Sequence, residues 1–342
     1  MNGKSLGFGI IGSGFIAGIH ASAIDCVGGA YLAAVYDAAE DRALEFAKKY
    51  QTNTAKSVEQ LLSDKNVDII CICTPSGLHK DYAIAAAKAG KHIVVEKPLA
   101  LSVKDCDEII DACESNGVKA TVISQLRYSN GFCQLKRVIE NGWLGTLVSG
   151  SIYMKYYRSP EYYGNSWRGT KAMDGGGALM NQGIHGVDLL QCAMGNVSSV
   201  YGLSKTLVHN IEVEDTLCAA LEYENGAIGT IEATTSIYPG FNRKMEICGS
   251  KGSIVLTEDE ITFYEFADKS ITMEDLQRGT GTYSANDNTN ISNDGHVKQL
   301  SDFIEAVNTG APIAIDCKEG KKAVEIITAI YQSSQEKRVV YL

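Results

Sequence analysis

A glycine-rich turn placed directly after the first apolar run constrains this chain more than any other feature. Leu6 to Ile11 reads as a short apolar strand, and Gly12-Ser13-Gly14-Phe15-Ile16-Ala17 follows it at once. In that order the first glycine permits a tight turn and the second lets the backbone approach a pyrophosphate. The third position needs only a small residue, Ala17, to bring helix against strand. The N–H groups at the start of the next helix, around Phe15 and Ile16, then face an anion. Phe15 to Val27 reads as that helix, and Tyr31 to Tyr36 as a second strand ending at Asp37. The turn therefore predicts a βαβ unit with a dinucleotide cradle.

The same alternation continues. A helix from about Glu40 to Tyr50, a near-continuous apolar strand from Val67 to Thr74, a helix from Tyr82 to Ala89, a strand from Lys91 to Val95, a helix from Val103 to Asn116 and a strand from Lys119 to Ser124 follow in turn. Strands that are apolar throughout belong to parallel sheets covered on both faces, so this half predicts a doubly wound Rossmann sheet over residues 1–124. Beyond Gln125 the rhythm changes. A helix from Phe132 to Asn141 is followed by Gly145 to Arg158, then a loop rich in Tyr and Gly, then a helix from about Gly177 to Met194. Five runs follow, Val200–His209, Asp215–Tyr223, Ala227–Thr235, Lys244–Gly249 and Gly252–Leu256, split by turn signals such as Glu224-Asn225-Gly226. Residues 125–342 thus predict an α+β domain with a large, mainly antiparallel open sheet. Its closing helices, His296 to Asn308 and Lys318 to Gln335, cover that sheet or return to the first domain. Residues 278–294, full of Gly, Thr, Ser and Asn, read as a mobile loop.

A length of 342 residues suits two domains. The net charge of -10 argues against a nucleic-acid or anionic-membrane surface, and no uncharged run reaches the roughly 18 residues of a membrane span. The ten cysteines lack paired metal-ligand spacing. Cys71 and Cys73 alternate along an apolar strand, and Cys106 and Cys113 lie on one helix. Core thiols in a reducing cytoplasm follow, with no metal expected.

Asp37 ends the second strand, where a carboxylate accepts hydrogen bonds from the adenosine ribose hydroxyls and repels a 2′-phosphate. Ala38 and Ala39 come next, so NAD is expected rather than NADP, with Arg42 the one basic residue near enough to disturb that choice. Asp37 also suits a helix N-cap. Thr74-Pro75-Ser76-Gly77-Leu78-His79 ends a central strand, on the edge where open parallel sheets bind ligands. Glu96-Lys97-Pro98 ends another, and Gly175-Gly176-Gly177 leads through Asn181 to His185. A lysine at a strand end and a distant histidine suit shared proton work on a substrate hydroxyl.

These residues, in this order, resemble the Gfo/Idh/MocA oxidoreductases over essentially the whole chain: the glycine fingerprint, Thr74-Pro75 with His79, Gly90-Lys91-His92 leading into Glu96-Lys97-Pro98, the glycine run ending in His185 and Asp188, and Asp302-Phe303-Ile304-Glu305-Ala306. Within that family Tyr162-Tyr163, Trp167-Arg168-Gly169-Thr170 and Asp174 through His185 look like the UDP-N-acetylglucosaminuronate 3-dehydrogenases. The resemblance implies that Lys97 contacts the reacting oxygen and that His185 is the acid/base. It puts Glu96 on the nicotinamide-side ribose, and Gln125, Trp167 and Arg168 near nicotinamide or substrate. It also implies assembly into dimers or tetramers through the open sheet, and a cofactor that some members retain and recycle with 2-oxoglutarate. Where most of the family carries aspartate, this chain has Asn181, which orients and hydrogen-bonds but is no carboxylate base. The burden passes to Lys97 and His185.

Arg158 and Lys171 suit a diphosphate or a uronate, or plain surface charge. Tyr163, with Tyr153, Tyr157 and Tyr162, suits a sugar platform or packing. Three functions fit: an NAD-dependent dehydrogenase of a nucleotide sugar, the same chemistry on a free sugar, cyclitol or glycoside, and a regulatory NAD-binding protein without turnover.

Overall fold

The computed structural model describes residues 5–164, 167–277 and 293–342. The chain begins β1 (Leu6–Ile11), α1 (Phe15–Cys26), β2 (Ala30–Tyr36), α2 (Glu40–Tyr50), β3 (Asn53–Thr54), α3 (Val58–Ser63), β4 (Ile69–Ile72), α4 (His79–Lys88), β5 (His92–Val95), α5 (Val103–Ser115) and β6 (Ala120–Val122). It continues α6 (Asn130–Glu140), β7 (Leu147–Lys155), α7 (Pro160–Tyr163), a π-helical turn Ala178–Gly183, α8 (Ile184–Met194), β8 (Val197–Lys205), β9 (Thr216–Tyr223) and β10 (Ile228–Thr234). It closes with β11 (Lys244–Gly249), β12 (Gly252–Thr257), β13 (Glu260–Phe266), α9 (Met273–Gln277), α10 (Asp294–Thr309), α11 (Cys317–Glu336) and β14 (Val340–Tyr341).

The first compact unit holds Met1–Gln125 together with Ile291–Lys321. Its six strands are all parallel, in the order β3-β2-β1-β4-β5-β6. That is the doubly wound arrangement expected, with the strand order reversing between β1 and β4, where such sheets receive ligands. β1 and β4 are buried along their whole length, which explains their unbroken apolar sequence. Phe8, Ile10, Ile24, Ile69 and Val94 form the core with Leu300, Phe303 and Ile304 of α10. This last group moves the boundary: α10 belongs to the first unit, so the division is not one cut between residues 124 and 125. Its apolar stripe has no signature naming its destination, and the core it completes is reached only through space.

Within the first unit, the short elements β3 and α3 went unread in the sequence. α3 carries its own signal, because the Ser57 hydroxyl accepts from Gln60 N at 3.2 Å while Gln60 Oε1 accepts from Lys56 N at 2.7 Å, close to a capping box.

The second unit, Leu126–Asn290 with Lys322–Leu342, carries an eight-stranded sheet in the order β13-β12-β11-β7-β10-β9-β8-β14. It is mainly antiparallel, with one parallel pair, β7 with β10. β9 alternates strictly between buried and non-buried positions, so one face packs and the other stays open, exposing Tyr201, Leu203, Ile228 and Phe263. The segment read as a mobile loop lies almost wholly outside the described residues.

Candidate active site

The cofactor half is built on β1, β2, β4, β5 and β6. Gly12 has φ +93°, and a Cβ there would stand 2.8 Å from Cys73 O, so this turn against β4 requires glycine. α1 starts after Gly14 with no side-chain cap, and Phe15 at its first turn is 76 % exposed, with Ile16 partly buried beside it. The first N–H groups are therefore left for an outside acceptor. Asp37 does not cap a helix. Its Oδ2 accepts from Ser13 N at 2.8 Å and Ser13 Oγ at 2.7 Å, and Oδ1 accepts from Ala39 N at 2.9 Å. Burial pushes its carboxyl up, but these hydrogen bonds and Arg42, 3.6 Å away, outweigh it and hold Asp37 below the usual range. The acidic end of β2 is thus tied directly to the glycine turn.

At the end of β4, Thr74 Oγ1 is buried without a hydrogen-bond partner, as is Gln125 Oε1 beyond β6. An uncapped helix start, a fixed carboxylate at the end of β2 and orphaned polar atoms along the same sheet edge fit a dinucleotide. His79, after Pro75, lies deeper: Nδ1 stands 2.7 Å from Pro98 O and Nε2 3.0 Å from Thr74 O. Burial lowers its pKa, and a neutral ring donates to only one of these carbonyls at a time. It ties the loop after β4 to the loop after β5.

Glu96 is 5 % exposed, and its Oε1 meets His20 Nε2 at 2.7 Å while His296 Nε2 stands 3.8 Å off. Burial pushes the carboxyl up, but His20 and His296 outweigh that and hold Glu96 well below the usual carboxylate range. Lys97 follows, half-buried, through a cis bond to Pro98. Sequence reading did not join His20 and His296 to Glu96, because nothing local links positions so far apart.

The residues expected to meet substrate lie mostly on the segment between β7 and α8 and at the start of α8. A Cβ on Gly177 would fall 1.8 Å from Glu214 O, so the glycine run presses backbone against backbone. The Glu214 carboxylate accepts from Gly177 N, Leu179 N and Tyr331 Oη, each at 2.8 Å, and so anchors the stretch carrying Asn181. The helix expected from Gly177 begins instead as a π-helical turn, and regular α-helix starts only at Ile184. Such turns recur at functional sites because they re-aim side chains. His185 is half-buried one residue into α8. Asp188, one turn on, accepts from Arg127 Nε and Nη2 at 2.8 and 2.6 Å.

Asn181 Nδ2 donates to Asp174, a carboxylate 2 % exposed that also accepts from Gly169 N at 2.7 Å. Asn181 Oδ1 accepts from Gln182 Nε2 at 3.0 Å, and Gln182 Oε1 accepts from Arg158 Nη2 at 2.6 Å. The Arg168 guanidinium stacks 4.6 Å from the Trp167 ring. Tyr163 donates to Thr235 Oγ1 at 2.8 Å, and burial pushes its phenol up to about 12. Lys171 is exposed, with its N–H on Glu212 at 2.9 Å. Asp174 and Gln182 were not singled out in the sequence.

The Rossmann half and its nucleotide-shaped edge define an NAD-binding oxidoreductase. A model of the oxidoreductase family with an NAD-binding Rossmann fold matches residues 6–124, and one of the GFO/IDH/MocA C-terminal domain matches residues 132–255. The myo-inositol 2-dehydrogenase of Thermotoga maritima is 30 % identical over 98 % of both chains. Among solved structures, the WlbA dehydrogenase of Bordetella pertussis in complex with NADH and UDP-GlcNAcA superposes with a TM-score of 0.91 at 31 % identity, covering 99 % of this chain and 98 % of the other. A levoglucosan dehydrogenase in complex with NADH and levoglucosan follows at 0.88 and 25 %, covering 98 % and 99 %. The chain belongs to the Gfo/Idh/MocA family of NAD-dependent sugar and cyclitol dehydrogenases.

Proposed function

We propose that the protein oxidises the 3-hydroxyl of a UDP-linked N-acetyl sugar or its uronate with NAD. The observation that carries this reading is the likeness over nearly the whole chain to a dehydrogenase holding NADH and UDP-GlcNAcA. The basic and aromatic lining of the substrate half, Arg158, Tyr162, Trp167 and Arg168, supports it, since a nucleotide sugar brings both anionic groups and flat rings.

Bound NAD supplies a hydride acceptor. Gly12, Gly14, Phe15 and Ile16 receive its pyrophosphate, Asp37 its adenosine ribose, and Thr74, Pro75 and Gln125 line the way to the nicotinamide, with Glu96 behind Lys97. Lys97 steadies the oxygen as its carbon gives up hydride, and His185 takes the hydroxyl proton. Asn181, locked by Asp174, orients and does not accept the proton. The open face of the eight-stranded sheet supports a homodimer or homotetramer, and ten unbridged cysteines suit the cytoplasm.

A free cyclitol or anhydro sugar is the second reading, favoured by the myo-inositol 2-dehydrogenase relative. Mass spectrometry separates the two. With NAD and 2-oxoglutarate supplied, UDP-N-acetylglucosamine or its uronate should yield a product lighter by two hydrogens. Turnover of myo-inositol or levoglucosan with neither UDP sugar consumed would overturn the nucleotide-sugar assignment.

A further inference from the structure

Two guanidinium groups converge on one tyrosine ring in the substrate half. Arg168 Cζ lies 4.7 Å and Arg158 Cζ 5.5 Å from the centre of the Tyr162 ring. Among the described residues neither arginine has a carboxylate within ion-pair distance, and Arg168 Nε is buried without any hydrogen-bond partner. A buried guanidinium nitrogen left unsatisfied is costly, more so beside a second cation.

The hydrogen bonds around the ring have one allowed direction. Arg158 can only donate, so the atom it meets at 3.2 Å through Nε and 2.6 Å through Nη2 must be Gln182 Oε1. Gln182 Nε2 then faces Tyr162 Oη at 2.8 Å and Asn181 Oδ1 at 3.0 Å. At the far end Asp174 takes the Asn181 amide nitrogen, which confirms the order from the opposite side. Tyr162 Oη is therefore an acceptor within the protein, and among the described residues its own proton meets no hydrogen-bond acceptor. Arg158 Nη1 also donates to Tyr157 O at 3.1 Å, so its hydrogen bonds are to neutral oxygens alone, and two cations with no carboxylate in ion-pair distance among the described residues, beside one O–H donor on a single ring, make a receptor for an oxyanion.

We propose that Arg158, Arg168 and Tyr162 form an anion subsite that takes a carboxylate or phosphate group of the substrate, its geometry set by Gln182. This rests on the nucleotide-sugar reading for the substrate's identity, though not for the anion chemistry. Charge-assisted hydrogen bonds of this kind contribute about 1.5–3 kcal/mol each, roughly 10- to 150-fold in affinity.

The test is titration calorimetry on the NAD-loaded protein with Arg158→Met, Arg168→Met and Tyr162→Phe, using UDP-N-acetylglucosamine, its uronate, free glucuronate and inorganic diphosphate as probes. Each arginine substitution should weaken anion binding about tenfold or more, with a smaller loss for Tyr162→Phe; unchanged NAD affinity in Arg158→Met and Tyr162→Phe, and an unchanged melting temperature in Arg168→Met, report folding. If the loss appears with both UDP sugars and diphosphate, the group is the diphosphate. If it appears only with the uronate and glucuronate, it is the carboxylate. Wild-type binding of diphosphate or glucuronate that depends on Arg168, with neither UDP sugar bound, would sink the nucleotide-sugar reading and leave the subsite standing. Affinities for all four probes within twofold of wild type in every variant, or no binding of any probe by wild type, would overturn the subsite.

Discussion

The cofactor half and the substrate half are built by different means. In the first, the groups proposed to meet NAD are main-chain N–H donors and a few side chains at strand ends, positioned by a parallel sheet buried on both faces. In the second, a chain of side-chain hydrogen bonds from Asp174 through Asn181 and Gln182 to Arg158 holds the geometry, on a loop and a π-helical turn. A half made of backbone tolerates changes of side chain. A half made of directed polar contacts does not, because each broken link leaves a buried group unsatisfied.

The largest effect expected from breaking this contrast is in the buried ion pair between Asp188 of α8 and Arg127. Asp188→Ala leaves Arg127, 9 % exposed, without its carboxylate, and should cost about 3–5 kcal/mol in urea unfolding. A loss under about 1 kcal/mol would show that the pair is solvated in solution. Next come the residues proposed to handle the proton: Lys97→Ala and His185→Ala should each lower kcat about 10²-fold or more while NAD binding stays near wild type. Nearly full turnover in either variant would remove that residue from the chemistry.

Within the cofactor half, Asp37→Ala removes the acceptor of three hydrogen bonds from Ser13 and Ala39 and should weaken NAD by about 1–3 kcal/mol. Equal NAD affinity in variant and wild type would place the adenosine ribose elsewhere. The smallest effect is a pH dependence. Glu96 titrates well below 4.5 in the folded protein, so the stability of its ionised form is present in full above that value and lost as pH falls beneath it. Wild type should therefore lose melting temperature more steeply than Glu96→Gln between pH 5 and 3, a window of roughly one to two units around the ordinary carboxylate value. Parallel melting curves would mean that Glu96 is not held by His20 and His296.

The contrast also explains what could be read in advance. Helix α2 and strand β11 fall at the expected residues, Glu40–Tyr50 and Lys244–Gly249, because period and turn signals act within a few positions. Strand β13 was missed: apart from buried Phe266 it is largely exposed on the edge of its sheet, so no buried alternation marks it. The family resemblance assigns roles to Lys97 and His185 and none to Gln182, whose contact with Arg158 joins residues 24 positions apart.

Sequence alone was enough for the parallel sheet, the glycine turn and Asp37 at the end of β2, since each depends on short-range sterics, hydrogen bonding and periodic burial. Folding in three dimensions decided that α10 completes the first core, that Asp188 serves Arg127, that Glu96 rests on His20 and His296, and that Asn181 is locked by Asp174. Those choices are contests between polar groups for partners in space, and the winner depends on distance and desolvation that no linear spacing records.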